Sequence, residues 1–246
     1  MIRRVKILGS YVDALTMEET LGEVDKIINY RRPVQHVVVN ASKINLMKQD
    51  DQLTEIVNSC PIINADGQSV VWAAKILNKP LPERVTGIDL FENLVKISSL
   101  KEYKLFFFGA SEDVVKRVVN IYKEKYPEIN IVGYRSGYFT EAEEKKIVND
   151  IKKVEPDILF VAFSSPKKEY WINKYLYDLN VPFVMGVGGS FDVIAGLTTR
   201  APKWMQQAGL EWFHRFIQEP KRMFKRYIVG NLKFCYLVLL EKINIK

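Results

Sequence analysis

The chain predicts an α/β fold: a mostly parallel sheet covered by helices on both faces, followed by a basic, amphipathic helical tail. Apolar stretches of strand length alternate with amphipathic stretches of helix length. The strand stretches are continuously apolar, as in parallel strands buried on both faces. Positive charge is concentrated at one end. With 246 residues and 48% hydrophobic composition, one domain can bury a full core, and no low-complexity linker interrupts it. We therefore divide the chain into a core over residues 1–200 and an appendage over 201–246.

In order, residues 5–8 read as a short strand, and Thr16 with Glu19 forms a capping box that opens a helix to about Tyr30. Residues 35–39 are a β-branched strand. Helices follow over 41–49 and 52–59, then a short strand at Ile62 and Ile63. Asp66-Gly67 turns the chain into a helix over about 68–77, and beyond Pro80 and Pro82 another spans about 89–98. The second half is more regular, with strands at 104–108, 129–134, 157–163 and 181–185. Between them lie helices at 111–125, from the Thr140/Glu143 cap to Val154, and at 166–178 with Pro166 near its first turn.

The last 32 residues hold eight Lys or Arg against two Glu, which is +6 of the formal net charge of +7. Large apolar residues are interleaved with that charge. On a regular helix Lys221, Arg222, Lys225 and Arg226 fall on one side, and Met223, Phe224, Tyr227 and Ile228 on the other. Such a face suits an anionic membrane, where each basic residue is worth roughly 1 kcal/mol. Ordinary packing of the apolar side on the core is the alternative. Nucleic acid would have less use for the aliphatic run at 236–240 and is not expected as a partner. Only seven residues, 234–240, lie uncharged between Lys233 and Glu241, too few to span a bilayer. Met1-Ile2-Arg3-Arg4 leads into a strand-like stretch, so no signal peptide is expected and the protein should stay cytoplasmic. Subunit contacts could mask the tail away from membrane, which makes a homo-oligomer compatible with the sequence. Cys60 and Cys235 read as reduced fillers, and His36 and His214 as packed histidines, too few for a His-rich metal site.

In an open parallel sheet, ligands sit beyond the carboxyl ends of the strands. There the sequence places Asn40, then Asn64-Ala65-Asp66-Gly67, Gly109-Ala110-Ser111, Ser164-Ser165-Pro166-Lys167-Lys168-Glu169 and Gly186-Val187-Gly188-Gly189-Ser190-Phe191-Asp192. Gly186, Gly188 and Gly189 would let backbone N–H groups approach a phosphate at a helix start, although tight-turn packing explains them too. Phe191 replaces the third glycine of a dinucleotide fingerprint, which disfavours NAD. Asp66 is the candidate catalytic carboxylate, or else a helix N-cap. Arg84, Thr86 and Asp89 could serve a sugar's hydroxyls or cap the following helix.

Those motifs, together with Arg84-Val85-Thr86-Gly87-Ile88-Asp89, Arg200-Ala201-Pro202-Lys203-Trp204 and Gly209-Leu210-Glu211-Trp212, resemble in order the WecG/TagA/CpsF glycosyltransferases, family 26. The resemblance runs from about Val5 to Phe234. It implies a Rossmann-like core and inverting transfer, without metal or other cofactor, from a UDP-sugar to a polyprenyl-diphosphate-linked sugar. In the TagA type, N-acetylmannosamine moves onto undecaprenyl-diphosphate-GlcNAc for wall teichoic acid, with the enzyme peripheral on the inner face of the plasma membrane.

Carried over by position, the resemblance makes Asp66 the base that takes the acceptor's proton. Arg215 and Arg222, with Arg226, become the cations that meet the departing diphosphate, so membrane docking of the tail would complete the site. Asn40, Gly67, Arg84, Thr86, Asp89, Lys168, Gly188, Gly189 and Asp192 become substrate-binding residues. Three positions depart from the pattern: Val38 where Thr is common, Lys168 where Gln is usual, and Ser69 where Gly is frequent. A nucleotide-binding module at the membrane, without chemistry, is the alternative function.

Overall fold

The computed structural model describes residues 2–244, the side chain of Arg222 excepted. Its centre is a six-stranded sheet in the order β4-β3-β8-β7-β5-β6, parallel throughout. The strands are β3 (Val34–Val39), β4 (Ile62–Ala65), β5 (Leu105–Gly109), β6 (Ile131–Arg135), β7 (Ile158–Ala162) and β8 (Phe183–Gly186). Alternation along each strand divides the core. Leu105, Phe107, Ile158, Phe160, Phe183 and Met185 face α1 (Met17–Tyr30), α5 (Gly87–Lys101) and α6 (Glu112–Lys125). Their neighbours Phe106, Phe108, Leu159, Val161 and Val184 face α7 (Glu144–Lys153) and α8 (Lys167–Leu179) on the other side.

Continuous apolar strands are therefore two interleaved sets. That is why they read as unbroken runs.

On the second face, α2 (Ala41–Met47), α3 (Asp51–Ser59) and α4 (Gln68–Ile76) cover Val37, Val39, Ile63 and Ala65. An antiparallel hairpin shares that cluster, with β1 (Arg4–Ile7) and β2 (Ser10–Asp13) joined through Leu8 and Gly9. The sequence predicts only one strand here. Leu8 and Gly9 both adopt positive φ, 49° and 86°, the backbone of the two-residue turn that matches strand twist. Leu8 is an unusual residue for that turn, so the pattern gives little warning. Asp13, with a side chain 0% exposed, binds Arg4 at 2.6 Å and accepts a hydrogen bond from Ile63 N at 2.7 Å, while Arg4 Nη2 donates to Cys60 O and Pro61 O. The hairpin thus covers the edge of β4.

Both capping boxes form, Thr16 with Glu19 and Thr140 with Glu143, the latter opening a 3₁₀ turn (Glu141–Glu143) ahead of α7. Cys60 is buried, which pushes its thiol up to about 12, whereas Cys235 is exposed and is no core filler. His36 is buried on β3, its Nε2 2.8 Å from Asn64 Oδ1; burial lowers it to about 4 and keeps it neutral.

After β8 the chain forms α9 (Ser190–Ile194), α10 (Lys203–Gln207), α11 (Glu211–Gln218), α12 (Pro220–Phe224), a π-helical segment (Lys225–Val229) and α13 (Gly230–Asn244). Of the helical wheel expected for residues 221–228, Lys221, Lys225 and Arg226 are exposed and Tyr227 and Ile228 half-buried, while the π turn rotates the residues beyond it relative to a regular helix. Met223 is buried, whereas Phe224 of the same expected stripe is 54% exposed. α13 packs Phe234 and Val238 into the core against α2 and α4, while Glu241 accepts from Leu8 N and pairs with Lys79. Its opposite side, Leu232, Tyr236, Leu239 and Ile243, is exposed and equally apolar.

Arg4→Ala leaves the buried Asp13 carboxylate without its cation. It should destabilise the protein by on the order of 3 kcal/mol, read as a lower urea midpoint at unchanged slope.

Candidate active site

A cleft of about 940 Å³ opens at the carboxyl ends of β4, β3, β8 and β7. Its far wall is made by residues 198–233. Chain direction creates the opening: β3 leads outward to β4, whereas its neighbour β8 arrives from the other half of the sheet.

Asp66 stands on the wall just after β4. Its N–H extends the ladder to Val39 O at 2.9 Å, and its two carboxylate oxygens accept from Asn40 Nδ2 at 3.1 Å and Gly87 N at 2.9 Å. Asn40 is itself fixed as the N-cap of α2, its Oδ1 accepting from Lys43 N at 3.0 Å. Gly67 does not line the cleft. A Cβ there would stand 3.0 Å from that of Asn40, so glycine permits the contact between the two strand ends. Asp66 does not cap α4, whose N-cap is Gly67 without a side-chain bond; the helix-start N–H it meets is that of Gly87, the first residue of α5. Val38 lines the floor and lies against Gly87.

The glycine turn follows β8, two strand spacings or roughly 10 Å from the end of β4. Gly188 adopts φ 56°, and Gly189 precedes α9. A Cβ on Gly189 would stand 3.0 Å from Arg215 Nη2, so the guanidinium from α11 lies directly over this backbone. Asp192 lines the same corner.

Beneath lies an ion cluster. Glu169, with a side chain 1% exposed, accepts from Lys43 Nζ at 2.5 Å and Ser165 Oγ at 2.7 Å, and Lys168 Nζ is 3.8 Å away. Burial pushes the Glu169 carboxyl up, but Lys43, Lys168 and Ser165 together outweigh it and hold the group below its ordinary value. Lys168 is 12% exposed on the cleft floor, and its ammonium is pulled down to about 8, first by burial and then by Lys43. Two lysines on one carboxylate leave a net positive floor. Lys43 and Glu169 are not among the site residues predicted from the sequence; the one signal for Lys43 is its place three residues after Asn40.

Arg84, Thr86 and Asp89 stand behind the wall. Thr86 caps α5 and bonds Asp89, Asp89 binds Arg200 at 2.6 Å, and Arg84 binds Glu211 at 2.8 Å and Gln206 O at 3.3 Å. Arg200 also meets Glu211 at 3.5 Å and Glu92 at 3.6 Å. Of this network only Arg200 and Glu211 reach the cleft. Their partners hold the start of α11, and hence His214 and Arg215, in place. The appendage further contributes Lys225, Arg226, Val229, Gly230 and Lys233 to the lining. Arg222 belongs to α12, and its side chain lies outside the described residues.

Comparison with known proteins accords with this arrangement. The family model described as "Glycosyl transferase WecG/TagA/CpsF family" matches residues 5–246. Among individual relatives, the Bacillus subtilis (strain 168) protein named N-acetylglucosaminyldiphosphoundecaprenol N-acetyl-beta-D-mannosaminyltransferase is 35% identical over 198 residues, 80% of this chain and 76% of that one. The protein of the same name from Staphylococcus aureus (strain MW2) is 31% identical over 249 residues, 99% of this chain and 95% of the relative. With a match over almost its whole length and a parallel-sheet core that carries the motifs at one edge, the chain belongs to the WecG/TagA/CpsF glycosyltransferase family.

Proposed function

We propose that the protein transfers N-acetylmannosamine from its UDP conjugate to GlcNAc-diphosphoundecaprenol with inversion, in the synthesis of wall teichoic acid or a related surface polysaccharide. The names of its relatives support the reaction and the acceptor. The observation that carries the reading is a carboxylate and a cation on one cleft. Asp66 is oriented by bonds to both oxygens, and Arg215 lies over the glycine turn.

The chemistry needs both. The acceptor's sugar hydroxyl attacks the anomeric carbon, its proton passes to Asp66, and the bond to the UDP oxygen breaks with its electron pair leaving on the diphosphate. Charge then grows on that diphosphate. Arg215, the N–H groups of Gly188 and Gly189, and Lys168 are the groups assigned to meet it. Asn40 orients the base, and Asp192, Arg84, Thr86 and Asp89 complete or support the donor pocket. Gly67 lets the Asn40–Asp66 pair form.

Among the described residues no helix is long and apolar enough to cross a membrane. The exposed stripe of α13 beside the basic tail supports peripheral attachment to an anionic inner leaflet.

Three measurements check this reading. Purified protein given UDP-N-acetylmannosamine and a soluble prenyl-diphosphate-GlcNAc should release UDP, and Asp66→Asn should cut kcat by about 10²–10⁴-fold while UDP affinity changes little. Equal turnover in that variant, or UDP binding with no turnover for any UDP-sugar, would favour a nucleotide-binding module. Because α13 is part of the core, Arg215→Ala tests the tail better than truncation does; kcat should fall about 10²-fold at unchanged unfolding midpoint.

The third measurement is pH dependence. Lys168 faces Lys43, Glu169, Asp66 and Arg226, and only its protonated form attracts diphosphate. UDP affinity should be full below about pH 8 and decline as pH rises past it, with the decline absent in Lys168→Gln.

A further inference from the structure

The cleft holds more positive charge than one diphosphate requires, and the charge falls into two groups. The inner group is Lys43 and Lys168 on Glu169, with Arg215 over the glycine turn. The outer group is Lys225 and Arg226 on the π-helical segment and Lys233 on the first turns of α13, all exposed and all lining the cleft. Among the described residues none of the ion pairs around the cleft involves these three, and Arg226 lies over the Tyr227 ring, 5.5 Å from its centroid. Three like charges on one wall repel one another unless an anion sits among them.

What surrounds them is apolar. On this side of the cleft α2 contributes Leu46 to the lining and the turn after it Gln49, and Asn45 Nδ2 of α2 donates to Gly230 O, where the π-helical segment passes into α13, at 2.7 Å. Leu46 and Val229 are exposed apolar residues on this part of the lining. Beyond them runs the stripe Leu232, Tyr236, Leu239 and Ile243, spaced by four, three and four residues and so on one side of the helix. Lys233 borders that stripe. The arrangement suits an amphiphile whose anionic head enters the cleft and whose hydrocarbon leaves along α13. A nucleoside diphosphate sugar has no such tail.

We infer that Lys225, Arg226 and Lys233, with Leu46 and Val229, form a second anion seat that binds the diphosphate and first isoprene units of the polyprenyl acceptor, separate from the donor's diphosphate at the glycine turn. This rests on the transfer reaction proposed above for the identity of the acceptor, but its test is a binding measurement without turnover. Arg226 shares the cleft lining with Lys168 of the inner group and acts on it electrostatically, so a change at Arg226 would touch both groups. The seat itself is therefore tested at Lys225 and Lys233.

The full chain, saturated with UDP and free of lipid, is titrated calorimetrically with farnesyl diphosphate and, separately, with inorganic diphosphate. Farnesyl diphosphate should bind alongside UDP, and inorganic diphosphate about tenfold or more weakly. The double variant Lys225→Ala/Lys233→Ala should lose about tenfold in farnesyl diphosphate affinity while UDP affinity stays within about twofold. Leu46→Ser, a surface change that leaves the charges in place, should weaken farnesyl diphosphate and spare inorganic diphosphate. Displacement of farnesyl diphosphate by UDP, equal loss of both ligands in the double variant, or equal affinity for the two diphosphates would overturn the seat. Absence of sugar transfer alongside intact farnesyl diphosphate binding would instead overturn the reaction and leave the seat standing.

Discussion

The buried carboxylate of Glu169 is the interaction on which the site's architecture depends. An ionised group so far from water is tolerated only when its charge and lone pairs are met. Lys43 from α2, Ser165 from the loop after β7 and the neighbouring Lys168 meet them, and Gln35 of β3 donates to the backbone carbonyl of Glu169 at 3.2 Å. One residue of α8 thereby fixes the positions of three other elements around the cleft. Lys43 is in turn placed by the cap that Asn40 provides, and Asn40 holds Asp66. The carboxylate proposed as base and the cationic floor are thus parts of one connected set of bonds.

A second ion network governs the far wall. Arg200 gathers Asp89, Glu92 and Glu211, and Arg84 shares Glu211. These pairs are only partly buried, and their value lies less in stability than in geometry. They fasten the start of α11 to α5, from which Arg215 reaches the glycine turn. The core is nearly neutral and the tail strongly basic, so folding the tail over the cleft brings four of its cations, Arg215, Lys225, Arg226 and Lys233, to one place.

Much of this could be read from residue order. The period of the apolar runs gave the parallel sheet, two capping boxes gave helix starts, and the strand ends gave Asn40, Asp66, Lys168, Gly188, Gly189 and Asp192, all of which line one cleft. What could not be read depends on partners distant in sequence. Arg84, Thr86 and Asp89 look like binding residues until their side chains are seen committed to Glu211, Arg200 and one another. Lys43 and Glu169 are 126 residues apart, and no local pattern links them. The second hairpin strand was hidden because Leu8 occupies a turn position that usually belongs to glycine, asparagine or aspartate. In the tail, a wheel of uniform pitch misses the place where the pitch changes.

That change of pitch has an evolutionary corollary. Most exposed connectors tolerate a gained or lost residue, because a loop absorbs the difference. The segment Lys225–Val229 is exposed yet continuously helical into α13, so a one-residue indel would turn everything downstream by about 100°. Phe234 and Val238 would swing out of the core, and the outward-facing row would be forced against α2 and α4. The stretch is thus constrained in length as well as in the cations it carries into the cleft.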